Sequence, residues 1–448
     1  MNTRAISRCR RTAWGAVVGF SLIEIMIAMT LGLLLSIGIV SFFININRID
    51  TAQQAMALLQ ENGRYAIMRI VDDLRSAGGQ YCSNNGGDAQ LAAAGIVYHA
   101  TQRSPMVYTP VLPAALPDYE GESLAPMGWA SGTAYPLSPH YFIQGYRCTS
   151  GKCIPAVPTT LPGAGTASGS RAKNADVLTL RSIRAMGWPI VQQTTQPESH
   201  YLASITMDMS AQYDNTSFGA NDLALIADCS SSRIVSVDVR GTGLTPSGNF
   251  NDHQVIAVDT GSDARVFNFS KDFRTVTYYL RIESDSSVSG RVISSLRRRV
   301  NGGASHGGTD DTIVEGVERM DILYGVESDT GATYFLTADA VDSNSPNLTC
   351  PPLPSGFTDS SDQEQGCLWR AVKSVEVSLL LDTVNDMSAT PVEQAYFYGP
   401  DNSTDFDTNI TQPEAPASPT AKLPSGLPSG SMLRREFRIL VSVRNSNP

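Results

Sequence analysis

The apolar run from Phe20 to Asn45 carries one charged residue, Glu24, and that run limits what the chain can become. Its 26 residues exceed the roughly 20 needed to cross a bilayer as a helix rising about 1.5 Å per residue. An acid at the centre of a hydrocarbon span costs roughly 2.5–3.5 kcal/mol, so an intramembrane carboxylate reads as functional and calls for a partner. Residues 1–19 carry Arg4, Arg8, Arg10 and Arg11 and no acid, which by the positive-inside rule puts this end in the cytoplasm and the bulk of the chain outside. A secretory signal has its small-residue cleavage site after the apolar core, whereas here the small residue Gly19 precedes it. A cut at Gly19 would leave the apolar helix attached.

The six residues Gly19-Phe20-Ser21-Leu22-Ile23-Glu24, behind a short basic leader, resemble the prepilin peptidase site of type IV pilins and type II secretion pseudopilins. The resemblance implies cleavage between Gly19 and Phe20 and N-methylation of Phe20. It also implies that the new Phe20 ammonium pairs with Glu24 of a neighbouring subunit in an assembled filament. Helix-dipole attraction favours an acid in the first turn as well, by about 0.3–1 kcal/mol. A signal-anchor whose Glu24 snorkels to the interface is the rival reading, and it explains neither the glycine nor its spacing.

Beyond the span, Ile49, Ala52, Met56, Leu59, Gly63, Ala66, Ile70 and Leu74 recur at three- and four-residue intervals, one stripe of an α-helix. Gly78-Gly79 supplies a left-handed stop. The expectation is one helix over 20–77, membrane-spanning over 20–45, with its later stripe against a sheet. Major pilins usually have a proline near the position of Ser41; its absence suggests a non-major subunit.

About 370 of the 448 residues follow the helix, enough for one large or two ordinary domains. Loss of a leader with four arginines takes the formal charge from −10 to −14, and an acidic chain without a basic, aromatic-interleaved patch argues against nucleic acid. Arg297-Arg298-Arg299 is the densest basic run after the leader and reads as a solvated strand edge. The leader removes Cys9, leaving Cys82, Cys148, Cys153, Cys229, Cys350 and Cys367, an even set suited to an oxidising periplasm. Six cysteines allow fifteen pairings. Short loops bearing Gly or Pro favour Cys148–Cys153 and Cys350–Cys367, which leaves Cys82 for Cys229, a closure of about 5 kcal/mol in the chain-entropy model. Without a CxxC and with dispersed histidines, no metal or cofactor is expected.

Strand patterns follow at Asp176–Arg181, Asp222–Ala227, Arg233–Val239, Gln254–Val258, Val276–Ile282, Met320–Val326, Val372–Leu381 and Phe437–Val443, arguing for mainly antiparallel sheet in residues 78–448. Composition shifts to Pro, Gly, Ala and Ser mark insertions at about 86–175 and 382–432. Leu58 to Ala66 (LLQENGRYA), Asp73 to Gly78 (DLRSAG), Ala227-Asp228-Cys229, Val314 to Glu318 with Tyr324-Gly325-Val326, and Val441 to Asn445 resemble the PilW group of minor pilins. That resemblance implies a pilin-like α+β fold and a minor-pilin complex that primes pilus assembly at or near the tip, often with a tip adhesin. It also implies as partners the major pilin, other minor pilins, the prepilin peptidase and the inner-membrane assembly platform. The alternatives are a J-type pseudopilin of type II secretion and a membrane-anchored surface adhesin.

Enzyme signals fail on context. Gly303-Ala304-Ser305-His306-Gly307 spells G-x-S-x-G, but a nucleophile elbow needs a strand leading in and a helix leading out, and this stretch joins two strand patterns. The acidic clusters Asp310-Asp311 and Asp359 to Glu364 lack EF-hand spacing and read as solvated loops.

Overall fold

The computed structural model describes residues 19–79, 89–92, 95–98, 105–109, 134–149, 152–183, 186–195, 202–208, 218–228, 232–241, 243–247, 264–304, 307–328, 330–351, 365–385, 398–402, 427 and 432–443. It is an α+β chain with a long N-terminal helix and extensive antiparallel sheet. The strand pattern at Gln254–Val258 lies outside the described residues, as do Cys82 and Cys229.

Helix α1 runs Leu22–Ser76. Ala77 still donates to the Asp73 and Leu74 carbonyls, at 3.1 and 3.2 Å. Gly78 then takes φ +67°, the left-handed stop that glycine adopts without Cβ penalty, and donates its N–H to the Arg181 carbonyl at 3.0 Å. The chain divides into two units, Met1–Ala55 and Met56–Pro448. The first holds the apolar part of α1; the second holds the rest of α1 and the sheets.

In the second unit the main sheet has the order Thr309–Glu315, Val292–Val300, Phe273–Ser284, Val177–Ile183, Ile143–Thr149, Lys152–Ile154. A four-stranded sheet follows in the order Thr333–Leu336, Val317–Glu327, Val372–Asp382, Arg434–Ser442. The chain crosses from one sheet to the other at Gly316, with φ +80°. A Cβ there would lie 2.9 Å from the Asp382 carbonyl oxygen, so no other residue fits without backbone movement. Asp176 ties the sheets together by accepting the N–H groups of Cys148 and Ile322, both at 3.0 Å. Burial, and then the nearby Asp321 charge, push its carboxyl up to about 8. One apolar cluster joins α1 to both sheets through Leu59, Ile70, Leu74, Leu280, Ile322 and Val377.

Val177–Ile183 and Phe273–Ser284 are antiparallel neighbours, Ile183 opposite Phe273, yet the chain between them builds a second core. Strands Asp222–Ala227, Arg265–Asn268, Trp188–Thr195, Leu202–Met207, Gly243–Pro246 and Ser232–Arg240 pair in that order, and the last pairs with the first, closing a six-stranded ring. Trp188, Ile205, Ala224, Ile226, Val235, Val237, Leu244 and Val266 fill its interior. Asp222–Ala227 is apolar almost throughout because it is buried twice: Ala224 and Ile226 enter the ring's core while Leu223, Leu225 and Ala227 join the main one. A strand covered on both faces reads as a continuous apolar run, not an alternation.

Near Gly316, Arg434 donates Nε to Glu318 Oε2 at 2.7 Å and Nη2 to Oε1 at 3.0 Å, and both side chains are 2% exposed. Asp382 lies beside Glu318 and accepts the Val384 N–H at 2.8 Å. Burial, then the Glu318 charge, push the Asp382 carboxyl up to about 8, against about 3.9 in an unfolded chain. The folded state therefore keeps a proton that the unfolded state releases. This contribution to stability is complete below the unfolded value and is lost as pH rises toward 8. Asp382→Asn, which keeps an acceptor for Val384 and a donor for Glu318, should flatten the pH dependence of denaturation between about 4 and 8, and an unchanged slope would show that Asp382 is ionised in the fold.

Candidate functional site

At the start of α1 the Ser21 N–H donates to Glu24 Oε2 at 3.2 Å, and the Ile23 N–H donates to Ser21 Oγ at 3.3 Å. This reciprocal pair is a capping box, which satisfies donors that a helix otherwise leaves open at its N-terminus. Its S-x-x-E spelling is legible in the chain, and Ser21 is the member that the peptidase-site resemblance leaves without a role. Within a single chain Glu24 therefore already has a partner, the backbone of its own first turn.

Gly19 and Phe20 precede the helix, and Phe20 is 81% exposed. A Cβ on Gly19 would meet no atom of the described residues within 4 Å, so none of them demands glycine there. The apolar part of α1 buries none of its large side chains. Two of its hydroxyls are nonetheless satisfied inside the helix: Thr30 Oγ1 donates to the Ile27 carbonyl at 2.9 Å and Ser36 Oγ to the Gly32 carbonyl at 2.8 Å. A helix long and apolar enough to cross a membrane, with its backbone paired internally and Thr30 and Ser36 bonded back to its own carbonyls, suits hydrocarbon.

The later part of α1 is anchored. Leu59, Ala66, Ile70, Leu74 and Ala77 are buried. Gly63 allows the Phe437 ring so close that a Cβ would sit 2.3 Å from it. At the last turn Arg298 donates Nε to Asp73 Oδ2 at 2.6 Å and Nη2 to Oδ1 at 3.1 Å. Tyr278 Oη donates to the same Oδ2 at 2.6 Å and also reaches the Arg69 carbonyl at 3.0 Å. Burial raises the Asp73 carboxyl, but hydrogen bonds from Arg298 and Tyr278 outweigh it and hold it below the usual range. Burial and the Asp73 charge raise the Tyr278 hydroxyl.

The basic run is not a solvated edge. Val292–Val300 lies inside the sheet, between Phe273–Ser284 and Thr309–Glu315. Arg297 pairs with Glu283 at 3.0 Å and Asp310 at 3.1 Å, Arg298 takes Asp73, and Arg299 donates to the Thr160 carbonyl at 2.7 Å. Asp310 and Asp311 likewise sit in strand Thr309–Glu315 and not in a loop. Consecutive charges predict exposure only when one face of a strand is free, and both faces here are covered.

Cys148–Cys153 and Cys350–Cys367 are joined as the short-loop reading expects. Among the described residues no group of three His, Cys, Asp or Glu is placed to hold a metal. A cavity of about 20 Å³ beside Ala77, Gly78, Phe142 and Trp369 has room for a water and not a substrate. The chemistry on display is anchorage.

Residues 277–445 match the family model described as Type IV Pilus-assembly protein W. No curated protein and no solved structure matches the chain. The matched segment includes Tyr278, Arg298, Glu318 and Arg434, the sheet-side members of both buried pairs, and it supports a type IV pilus-related protein with partners in that system.

Breaking a buried pair by removing one partner costs about 3–5 kcal/mol, whereas apolar replacement of both partners is often neutral. Asp73→Asn and Arg298→Met should each fall in that range by chemical denaturation of the full chain in detergent, and Asp73→Leu/Arg298→Met should recover most of the loss. Single variants within about 0.5 kcal/mol of the parent, the span of ordinary surface changes, would remove the pair from the anchorage.

Proposed function

We propose that this chain is a minor pilin of the PilW group that primes type IV pilus assembly. The observation that carries the reading is an apolar helix with no burial in its own chain, joined to a domain whose 277–445 segment matches a pilus-assembly family. Before assembly the helix spans the inner membrane, with the β-rich domain in the periplasm. The prepilin peptidase cuts between Gly19 and Phe20, and Phe20 is then N-methylated.

Cleavage changes the electrostatics of the first turn. The Phe20 amine becomes a cation in a low-dielectric setting, where an unpaired charge is expensive. A neighbouring subunit's Glu24 can neutralise it by exchanging the Ser21 N–H for the ammonium. That exchange makes charge balance depend on a second subunit and so favours incorporation over a free, membrane-bound chain. The domain anchored by Asp73 and Arg298 then sits at or near the pilus tip, against other minor pilins, the first major pilins and a tip adhesin. The chain moves passively: force comes from cytoplasmic motors acting through the inner-membrane platform.

Gly19→Trp should accumulate as a membrane-bound precursor about 19 residues heavier than the mature chain, by intact mass. Equal masses for variant and parent would refute the assigned cut. Because a Cβ on Gly19 would meet no atom of the described residues within 4 Å, such a block reports on processing and not on misfolding. Glu24→Val should be processed yet fall severalfold in sheared pili while persisting in membranes; parental filament content would exclude the amine–carboxylate pairing. Deletion should abolish piliation. Intact pili with lost secretion, or with lost attachment alone, would favour the pseudopilin or adhesin readings.

A further inference from the structure

The hairpin of Ile143–Thr149 and Lys152–Ile154 forms one edge of the main sheet, and its bridge joins the register partners Cys148 and Cys153. The two sulfurs differ in setting. Cys148 is buried, whereas Cys153 is half-buried between exposed Lys152 and Ile154. Arg171 donates Nη1 to Cys148 Sγ at 3.4 Å.

Arg171 is 3% exposed, and among the described residues that sulfur is the one partner of its guanidinium. Its Nε is buried without an acceptor. Its register partner across the sheet is a second cation, Arg281, whose Nε is also buried without an acceptor. Burial accordingly pulls the Arg171 pKa down. A buried cation without a counter-charge keeps its desolvation penalty uncompensated, and a thiolate on Cys148 would offset it.

We infer that Cys148–Cys153 is a thiol–disulfide exchange site whose substrate is a dithiol, either a dithiol oxidoreductase or a small dithiol. One thiolate of the dithiol attacks Sγ of Cys153, the less buried of the two cysteines. The Cys148–Cys153 bond breaks, its electron pair leaves on Cys148 Sγ, and a mixed disulfide forms on Cys153. The dithiol's second sulfur attacks that mixed disulfide on its own first sulfur, releasing Cys153, which takes up the proton. The dithiol is oxidised by two electrons and the bridge is reduced by two. Arg171 acts on the departing sulfur: a cation beside the leaving thiolate lowers its pKa, speeds its departure and stabilises the reduced state. The Cys350–Cys367 bridge serves as an internal reference, since among the described residues no guanidinium donates to either of its sulfurs, and Cys367 is buried.

The test is a dithiothreitol titration of the full chain in detergent, followed by alkylation and mass mapping of each cysteine. Cys148 and Cys153 should label at least about tenfold lower dithiothreitol than Cys350 and Cys367, and Arg171→Met should raise the midpoint for the first pair about tenfold, the factor of one thiol pKa unit, without moving the second. A second readout covers loss of fold in that variant. In Cys153→Ser, alkylation of Cys148 should reach half its maximal rate well below the free-thiol value of about 8.5. Equal midpoints for the two bridges, an unmoved midpoint in Arg171→Met, or a Cys148 thiol titrating at or above that value would each overturn the assignment. The dithiol oxidoreductase arm is read by trapping a mixed disulfide on Cys153 with a resolving-cysteine variant of such an enzyme; a trapped species on Cys350 or Cys367 instead counts against the site.

Discussion

The carboxylate of Asp73 holds three donor contacts inside a protein core, and the later part of the long helix depends on them. Two come from the Arg298 guanidinium and one from the Tyr278 hydroxyl. Buried charges are tolerated only when paired and hydrogen-bonded, so this carboxylate admits few helix positions relative to the sheet. Apolar contacts from Leu59, Ile70 and Leu74 supply the bulk of the burial but are non-directional. The ion pair adds direction and register, and Gly63 against Phe437 sets how closely helix and sheet approach.

The same logic recurs one sheet away. Glu318 is held by Arg434 and leaned on by Asp382, next to the glycine at which the chain passes between sheets. Both buried guanidinium pairs take members from 277–445, the segment that matches the pilus-assembly family. The six-stranded ring with its own core is inserted between two neighbouring strands of the main sheet, and their pairing survives it. Loop closure grows only slowly with length, so an insertion of this size disturbs the host sheet little.

The start of the helix obeys a different solvent. Its apolar side chains are exposed, and among the described residues its one acid accepts from the turn it begins. An ionised carboxylate has about four acceptor sites, so one held by a single backbone N–H keeps room for a further donor, and the N–H carries no charge to balance it whereas an ammonium does. That asymmetry connects the local geometry of Ser21 and Glu24 with the assembly role proposed above.

Where residues interact within a turn or along one helix, the chain of letters sufficed: the apolar run, the stripe from Leu59 to Leu74, the Gly78 stop and the two short disulfide loops all follow from near-neighbour chemistry, whereas Ile49 at the head of the expected stripe is exposed and the Ser21–Glu24 cap was legible but not read. So did seven of the 22 described strands, because β-branched runs between turn residues announce themselves; edge and ring strands such as Thr309–Glu315 and Trp188–Thr195 are too polar to do so. Asp73 and Arg298 are 225 residues apart, and no local pattern says that one guanidinium of three will turn inward to meet a helix. The Arg297–Arg299 run read as exposed for that reason, and the ring at 188–268 read as more strands in series, since closure is a property of pairing and not of composition. The sequence by itself determined the long helix, the most apolar strands and which end of the helix suits lipid, because those depend on periodicity and hydropathy. Only the tertiary structure decided which charges are buried, which strands close on one another and which sulfur lies beside a cation, because long-range contacts are set by the packing of the whole core.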